Sequence, residues 1–201
     1  VANWASFSLG PSSDGGRGAS KHAATLLTHG DMSWLVGFPV RWGNTGNNQN
    51  FYPYHEHQDA RKDAEDQIYE QLKAKIDEFL ELAHYDWLLV EPDGQASSYM
   101  MDLIAFLNNV FQAFTNLPDN VAQTACMTAC QHLANSLLGI LTSEETKYIS
   151  MGALEQFNLD VIQCEQFASS EPVSGFKEGA LQMFFTELRQ VMHRLVWSPY
   201  K

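Results

Sequence analysis

Residues 149–167 read ISMGALEQFNLDVIQCEQF, and their spacing decides the fold class. Leu154, Phe157, Val161, Cys164 and, just past the stretch, Ala168 step by three and four, which places them on one side of a helix. Glu155, Gln156, Asn158, Asp160, Gln163 and Glu165 fall between them, a polar set that contains no Lys or Arg. The stretch is therefore predicted to be an amphipathic helix that packs through one face and leaves the other free to meet a partner.

Working outward, the same period recurs on both sides. Towards the C-terminus, SSEPVSG (169–175) reads as a loop, and a last helix carries Leu181, Phe184, Phe185, Leu188, Val191, Met192 and Leu195 before Ser198-Pro199 ends it. Towards the N-terminus, Thr142 and Glu145 have capping-box spacing, which predicts a short helical turn leading into the central stretch. Before that, Pro118 suits the first turn of a helix with Val121, Ala122, Ala125, Cys126, Ala129, Cys130, Leu133, Leu137 and Leu141 inward. Its small residues would let a neighbour approach closely. Ser97 or Ser98 can cap a helix carrying Met100, Leu103, Leu107, Val110, Phe111 and Phe114. Ile68, Leu72, Ile76, Phe79, Leu80 and Ala83 mark a first helix over about 59–84, followed by a break at 85–95 in which Pro92-Asp93-Gly94 supplies turn chemistry. About five helices with short connections and no convincing strand predict an all-α fold, an elongated antiparallel helical bundle.

Residues 1–58 differ in kind. They hold eight of the thirteen glycines and the runs GPSSDGGRG and GNTGNNQN, so no regular period survives and the segment reads as disordered or irregular. The island WLVGFPVRW at 34–42 is apolar enough for a strand, but Gly37 and Pro39 interrupt it. Two regions follow: 1–58, low in order, and 59–201, helical.

Charge separates the same two regions. In residues 1–58 the acids and bases cancel, so the whole net charge of −12 falls from Asp59 onward. Such a surface repels phosphate backbones and anionic headgroups, which excludes nucleic-acid binding and direct membrane insertion as expectations and leaves basic protein partners open. No apolar run reaches the length of a membrane span and no leader pattern opens the chain, so it reads as soluble and not secreted. Cys126, Cys130 and Cys164, an odd set inside apolar helical patterns, read as reduced thiols of a cytosolic protein.

Chemistry finds little support. Glu81 and His84 have the E-x-x-H spacing of di-iron bundles, but the chain has no second copy, and a solvated face explains the pair. His132 points away from the face shared by Cys126 and Cys130, so the three cannot close on one zinc. His55-Glu56-His57 reads as linker, and the glycines from Gly10 to Gly18 lack the G-K-[ST] of a phosphate loop. No Ser/His/Asp grouping stands out, so neither catalysis nor a metal or cofactor is expected. Asn158 and Asp160 have a bland reading as solvated helix residues. The sharper reading, with Gln156 and Gln163 as neighbours, makes them part of a protein-binding face, because Asn is a poor helix former with no evident task within the helix.

Several long strings carry a family resemblance: DARKDAEDQIYEQLKAKIDEFLELAHYDW (59–87), EPDGQASSYMMDLIAFL (91–107), FTNLPDNVAQTACMTACQHLANSLL (114–138), ISMGALEQFNLDVIQCEQFASSEPVSGF (149–176) and ELRQ (187–190). The chain from Asp59 resembles the C-terminal region of the exocyst complex component 6 family. The resemblance implies a non-enzymatic, cofactor-free rod of helical bundles, cytoplasmic and peripheral at secretory vesicles and the plasma membrane. Its implied role is in the vesicle-tethering complex, in docking secretory vesicles at the plasma membrane, and its implied partners are the other exocyst subunits and a GTP-bound Rab-family GTPase of which it would be an effector. A purely structural module that packs on other tether subunits is the alternative. Residues 1–58 and 196–201 lie outside the resemblance, and the chain reads as a fragment.

Overall fold

A computed structural model describes residues 54–197 except 145 and 147, with side chains over 61–196. Five α-helices make up this part: α1 (Tyr54–Leu80), α2 (Ser98–Phe114), α3 (Asp119–Thr142), α4 (Met151–Ser169) and α5 (Thr186–Trp197). A 3-10 turn, Gln182–Phe185, precedes α5, and no strand occurs among the described residues. The all-helical architecture read from the apolar spacing is the one observed. The glycine-rich runs and the island at 34–42 lie outside the described residues.

The core forms where the apolar stripes meet. On α3, Ala122, Ala125, Cys126, Ala129 and Cys130 are buried, and this narrow face lets α1 pack closely with Leu72 and Ile76 fully enclosed. α2 fits against both α1 and α4 through Met100, Leu103, Leu107 and Phe111. Each such side chain contributes about 1.5–3 kcal/mol by leaving water. Phe111 meets Phe114 edge-on at 5.4 Å between ring centroids and Phe167 of α4 at 5.9 Å, and the Cys164 thiol lies 3.3 Å from the Met100 sulfur. All three thiols are free and buried.

The helix ends differ from expectation in three places. α1 starts at Tyr54, so His55-Glu56-His57 is helical and not linker, and it stops at Leu80 instead of His84. There the chain tightens, with Leu82 N–H on Phe79 O and Ala83 N–H on Leu80 O, and swings Tyr85 and Trp87 onto Phe157 at 5.2 and 6.1 Å. Thr142 closes α3, its hydroxyl donating to Leu138 O at 2.7 Å, and a single turn follows in which the Thr146 N–H donates to Ser143 O at 3.0 Å; Glu145, its expected capping partner, lies outside the described residues. The expected last helix is divided, because Gly179 turns the chain at φ +76° and the following 3-10 turn drives Phe185 into the core beside α3.

The lone E-x-x-H pair is exposed at both residues, with His84 Nδ1 3.1 Å from Leu82 O. His132 turns from the thiols to Asp77 of α1, Nε2 to Oδ1 at 2.7 Å. Among the described residues no cluster of His, Cys, Asp or Glu is arranged to hold a metal ion, and no helix is long and apolar enough to cross a membrane.

Candidate partner-binding site

The polar side of α4 is not one surface. Ser150 caps the helix by accepting from the Ala153 N–H at 3.1 Å, the role its residue type favours. The same serine reaches across to the segment between α1 and α2: its N–H donates to Trp87 O at 2.8 Å and its hydroxyl to Leu89 O. Gly152 then brings α4 so close to that segment that a Cβ there would lie 2.4 Å from the Val90 carbonyl oxygen. Residues 81–97 are thus laid along α4 as a strap.

Gln156 and Asp160 fasten the rest of it. Gln156 accepts from the Asp93 N–H at 2.9 Å and donates to Gln95 O at 2.8 Å, beside the turn that Gly94 makes at φ +75°. Asp160 is fully enclosed. Its Oδ1 accepts from the Ser97 N–H at 2.6 Å and its Oδ2 from the Tyr85 hydroxyl at 2.5 Å. The Tyr99 hydroxyl donates to the Tyr85 oxygen, with Asp160 Oδ2 3.4 Å away as a weaker acceptor. Burial pushes the Asp160 carboxyl above the usual carboxylate range, and the hydrogen bonds from Tyr85, Ser97 and Tyr99 oppose that rise. Burial also drives the Tyr85 and Tyr99 hydroxyls far up, which keeps both protonated as donors.

The expected face is therefore corrected at two of its four residues: Gln156 and Asp160 point into the protein and are satisfied there, so neither is offered to a partner. Burying a carboxylate is tolerable because the Ser97 N–H and the Tyr85 hydroxyl donate to it, the latter supported in turn by Tyr99. Asn158 and Gln163 are half-buried and keep some surface. Asn158 accepts from Arg189 of α5, whose guanidinium also grips Glu165 through Nε to Oε1 at 2.7 Å and Nη2 to Oε2 at 2.5 Å. The task of Asn158 lies between helices, which its own helix sequence could not show.

Next to Asn158, a groove of about 530 Å³ opens between α4 and α5, lined by Met151, Leu154, Glu155, Met192, His193 and Val196 with Arg189. The strap residues Tyr85 and Ser97, and Tyr99 at the start of α2, were missed as partners of α4 because they lie more than 60 positions away from Asp160. Gly152 did carry a signal, since glycine inside a helix often marks a close backbone approach.

Residues 43–198 match the family described as Exocyst complex subunit Sec15 C-terminal. The chain belongs to the Sec15 exocyst-subunit family. Exocyst complex component 6 of Homo sapiens is 60% identical over 145 residues, covering 71% of this chain and 18% of that protein. The Drosophila melanogaster protein of the same name is 47% identical over 144 residues, covering 70% of this chain and 19% of its own length. A solved structure, the crystal structure of a Sec15 C-terminal domain, superposes with a TM-score of 0.60 at 41% identity over 69% of this chain and 44% of that one. The chain thus spans under a fifth of the full-length Sec15 relatives it matches.

Proposed function

We propose that the chain is a non-enzymatic helical module of the exocyst, acting through protein contacts as secretory vesicles are tethered at the plasma membrane. The observation that carries this reading is the Sec15 match over 43–198 on a chain whose described residues form the same helical fold. Other exocyst subunits are its partners, and it sits in the cytoplasm, peripheral to vesicle and plasma membrane.

Within that role a GTP-bound Rab-family GTPase is the ligand, received on the half-buried polar positions Asn158 and Gln163, while Gln156 and Asp160 act indirectly by holding the strap. The chain is to be incubated with a panel of immobilised Rab proteins carrying a GTP analogue or GDP. Retention on one GTP-analogue form, weakened by Asn158→Ala with the helical signal kept, supports the effector reading. Binding that ignores the nucleotide, or none at all by folded protein, leaves the packing module, a second reading that the engagement of Asn158 by Arg189 favours.

A further inference from the structure

The strap does more than connect α1 to α2. Along it, Tyr85, Trp87 and Leu89 turn inward, while Asp86, Leu88 and Val90 turn outward. Leu88 is 69% exposed and Val90 85%, and Met151, beside the serine that binds the strap, is 56% exposed. Met151 sits between Ser150 and Gly152, the two α4-end residues that meet the strap at 87–90, so three large exposed apolar residues lie along one contact. Their backbone is fixed: Ser150 holds the carbonyls of Trp87 and Leu89, Gln156 holds Asp93 and Gln95, and Gly152 admits the Val90 carbonyl. Apolar groups held this way lose little freedom on binding, which is what a preformed docking surface needs.

Shape and charge narrow the occupant. Met151 also lines the groove of about 530 Å³ between α4 and α5, so this trough opens beside the place where α4 meets the strap. Helix-in-groove recognition suits such a trough. Asp86, Glu91, Asp93 and Glu155 are exposed around the strap end. Lys147 is the only Lys or Arg between Lys75 and Lys177. Arg189, whose guanidinium is gripped by Glu165, and His193 also line the trough. The compensated cation leaves the acidic end to set the sign of the partner.

We infer that Leu88, Val90 and Met151, with the adjoining groove, form a docking surface for a basic amphipathic helix of another polypeptide, its cationic side chains towards Glu91 and Glu155. This does not rest on the GTPase reading, and the probe below contains no nucleotide or GTPase.

Fluorescence anisotropy on the 201-residue chain, with a labelled Leu/Lys amphipathic peptide of about 18 residues, long enough to hold a helix, tests it. The wild type binds; Leu88→Ser/Val90→Ser weakens binding by about tenfold, and Glu91→Gln/Glu155→Gln by about threefold and less at high salt. Met151→Gln, a substitution at the first helical residue that touches no core, gives an independent loss in case the strap variant loosens the fold. A Leu/Glu peptide of the same pattern does not compete. The inference is overturned if the wild type fails to bind the Lys peptide, or if Met151→Gln and the strap variant bind as the wild type does. It also falls if Glu70→Gln/Glu78→Gln on α1 costs as much as Glu91→Gln/Glu155→Gln, since the attraction is then generic.

Discussion

The two polar edges of α4 have similar compositions and opposite fates. Towards the strap, Gln156 and Asp160 are enclosed and each of their hydrogen bonds replaces one to water. Towards α5, Asn158 and Glu165 stay partly wet and are gripped by a single arginine, with Arg189 and Glu165 side chains 32% and 29% exposed. The enclosed edge is costly to disturb because a group left unpaired there cannot turn to solvent. The wet edge is cheap to disturb, since water replaces what is lost and salt screens the rest.

That contrast can be broken most severely at Asp160. Asp160→Ala leaves the Ser97 N–H and the Tyr85–Tyr99 pair without their acceptor, so urea denaturation should show a loss of about 3 kcal/mol. Amide exchange should rise first in residues 85–97. Equal exchange across all helices would show that the strap is not a separate unit.

Gly152→Ala should come next. Its added Cβ meets backbone at Val90 and Leu89, which cannot rotate away as a side chain can, and a cost of about 2 kcal/mol is expected in the same denaturation experiment. A stabilised variant, as Ala for Gly gives in an ordinary helix, would mean that the strap yields freely.

Acidity sharpens the contrast without deleting an atom of the core. The folded-state pKa of Asp160 is raised, so the native state binds this proton more tightly than the unfolded chain does. Its contribution to stability therefore falls as pH rises from the unfolded carboxylate value through the raised one. The stability of the wild type relative to Asp160→Asn should decline over that window. A difference that grows with pH would mean that the hydrogen bonds, not burial, dominate the carboxylate.

The smallest effect belongs to the wet edge. Arg189→Ala removes the grip on Glu165 and Asn158 and should cost no more than about 1 kcal/mol, shrinking as salt is added. A loss as large as that of Asp160→Ala, insensitive to salt, would erase the distinction between the edges.

Much of the fold was legible in residue spacing. The stripes from Met100 to Phe114, Val121 to Leu141 and Leu154 to Ala168 are buried as read, and the first is buried from Ile68 to Phe79 but only half-buried at Leu80 and Ala83, because a 3.6-residue period fixes which side of a helix can be dry only while the helix lasts. The site was legible only in part. The sequence singled out α4 and its polar residues, yet it grouped Gln156 and Asp160 with Asn158 as one exposed face.

By itself the sequence determined that the chain is helical, which faces pack, and which family its long strings resemble. Those properties follow from local periodicity and from words of sequence. Only the tertiary structure decided which polar residues are offered and which are consumed. The strap that encloses Gln156 and Asp160 arrives from residues 81–97, and the arginine that occupies Asn158 arrives from α5. A side chain's exposure depends on whatever else the chain lays over it, and no spacing within one helix records that.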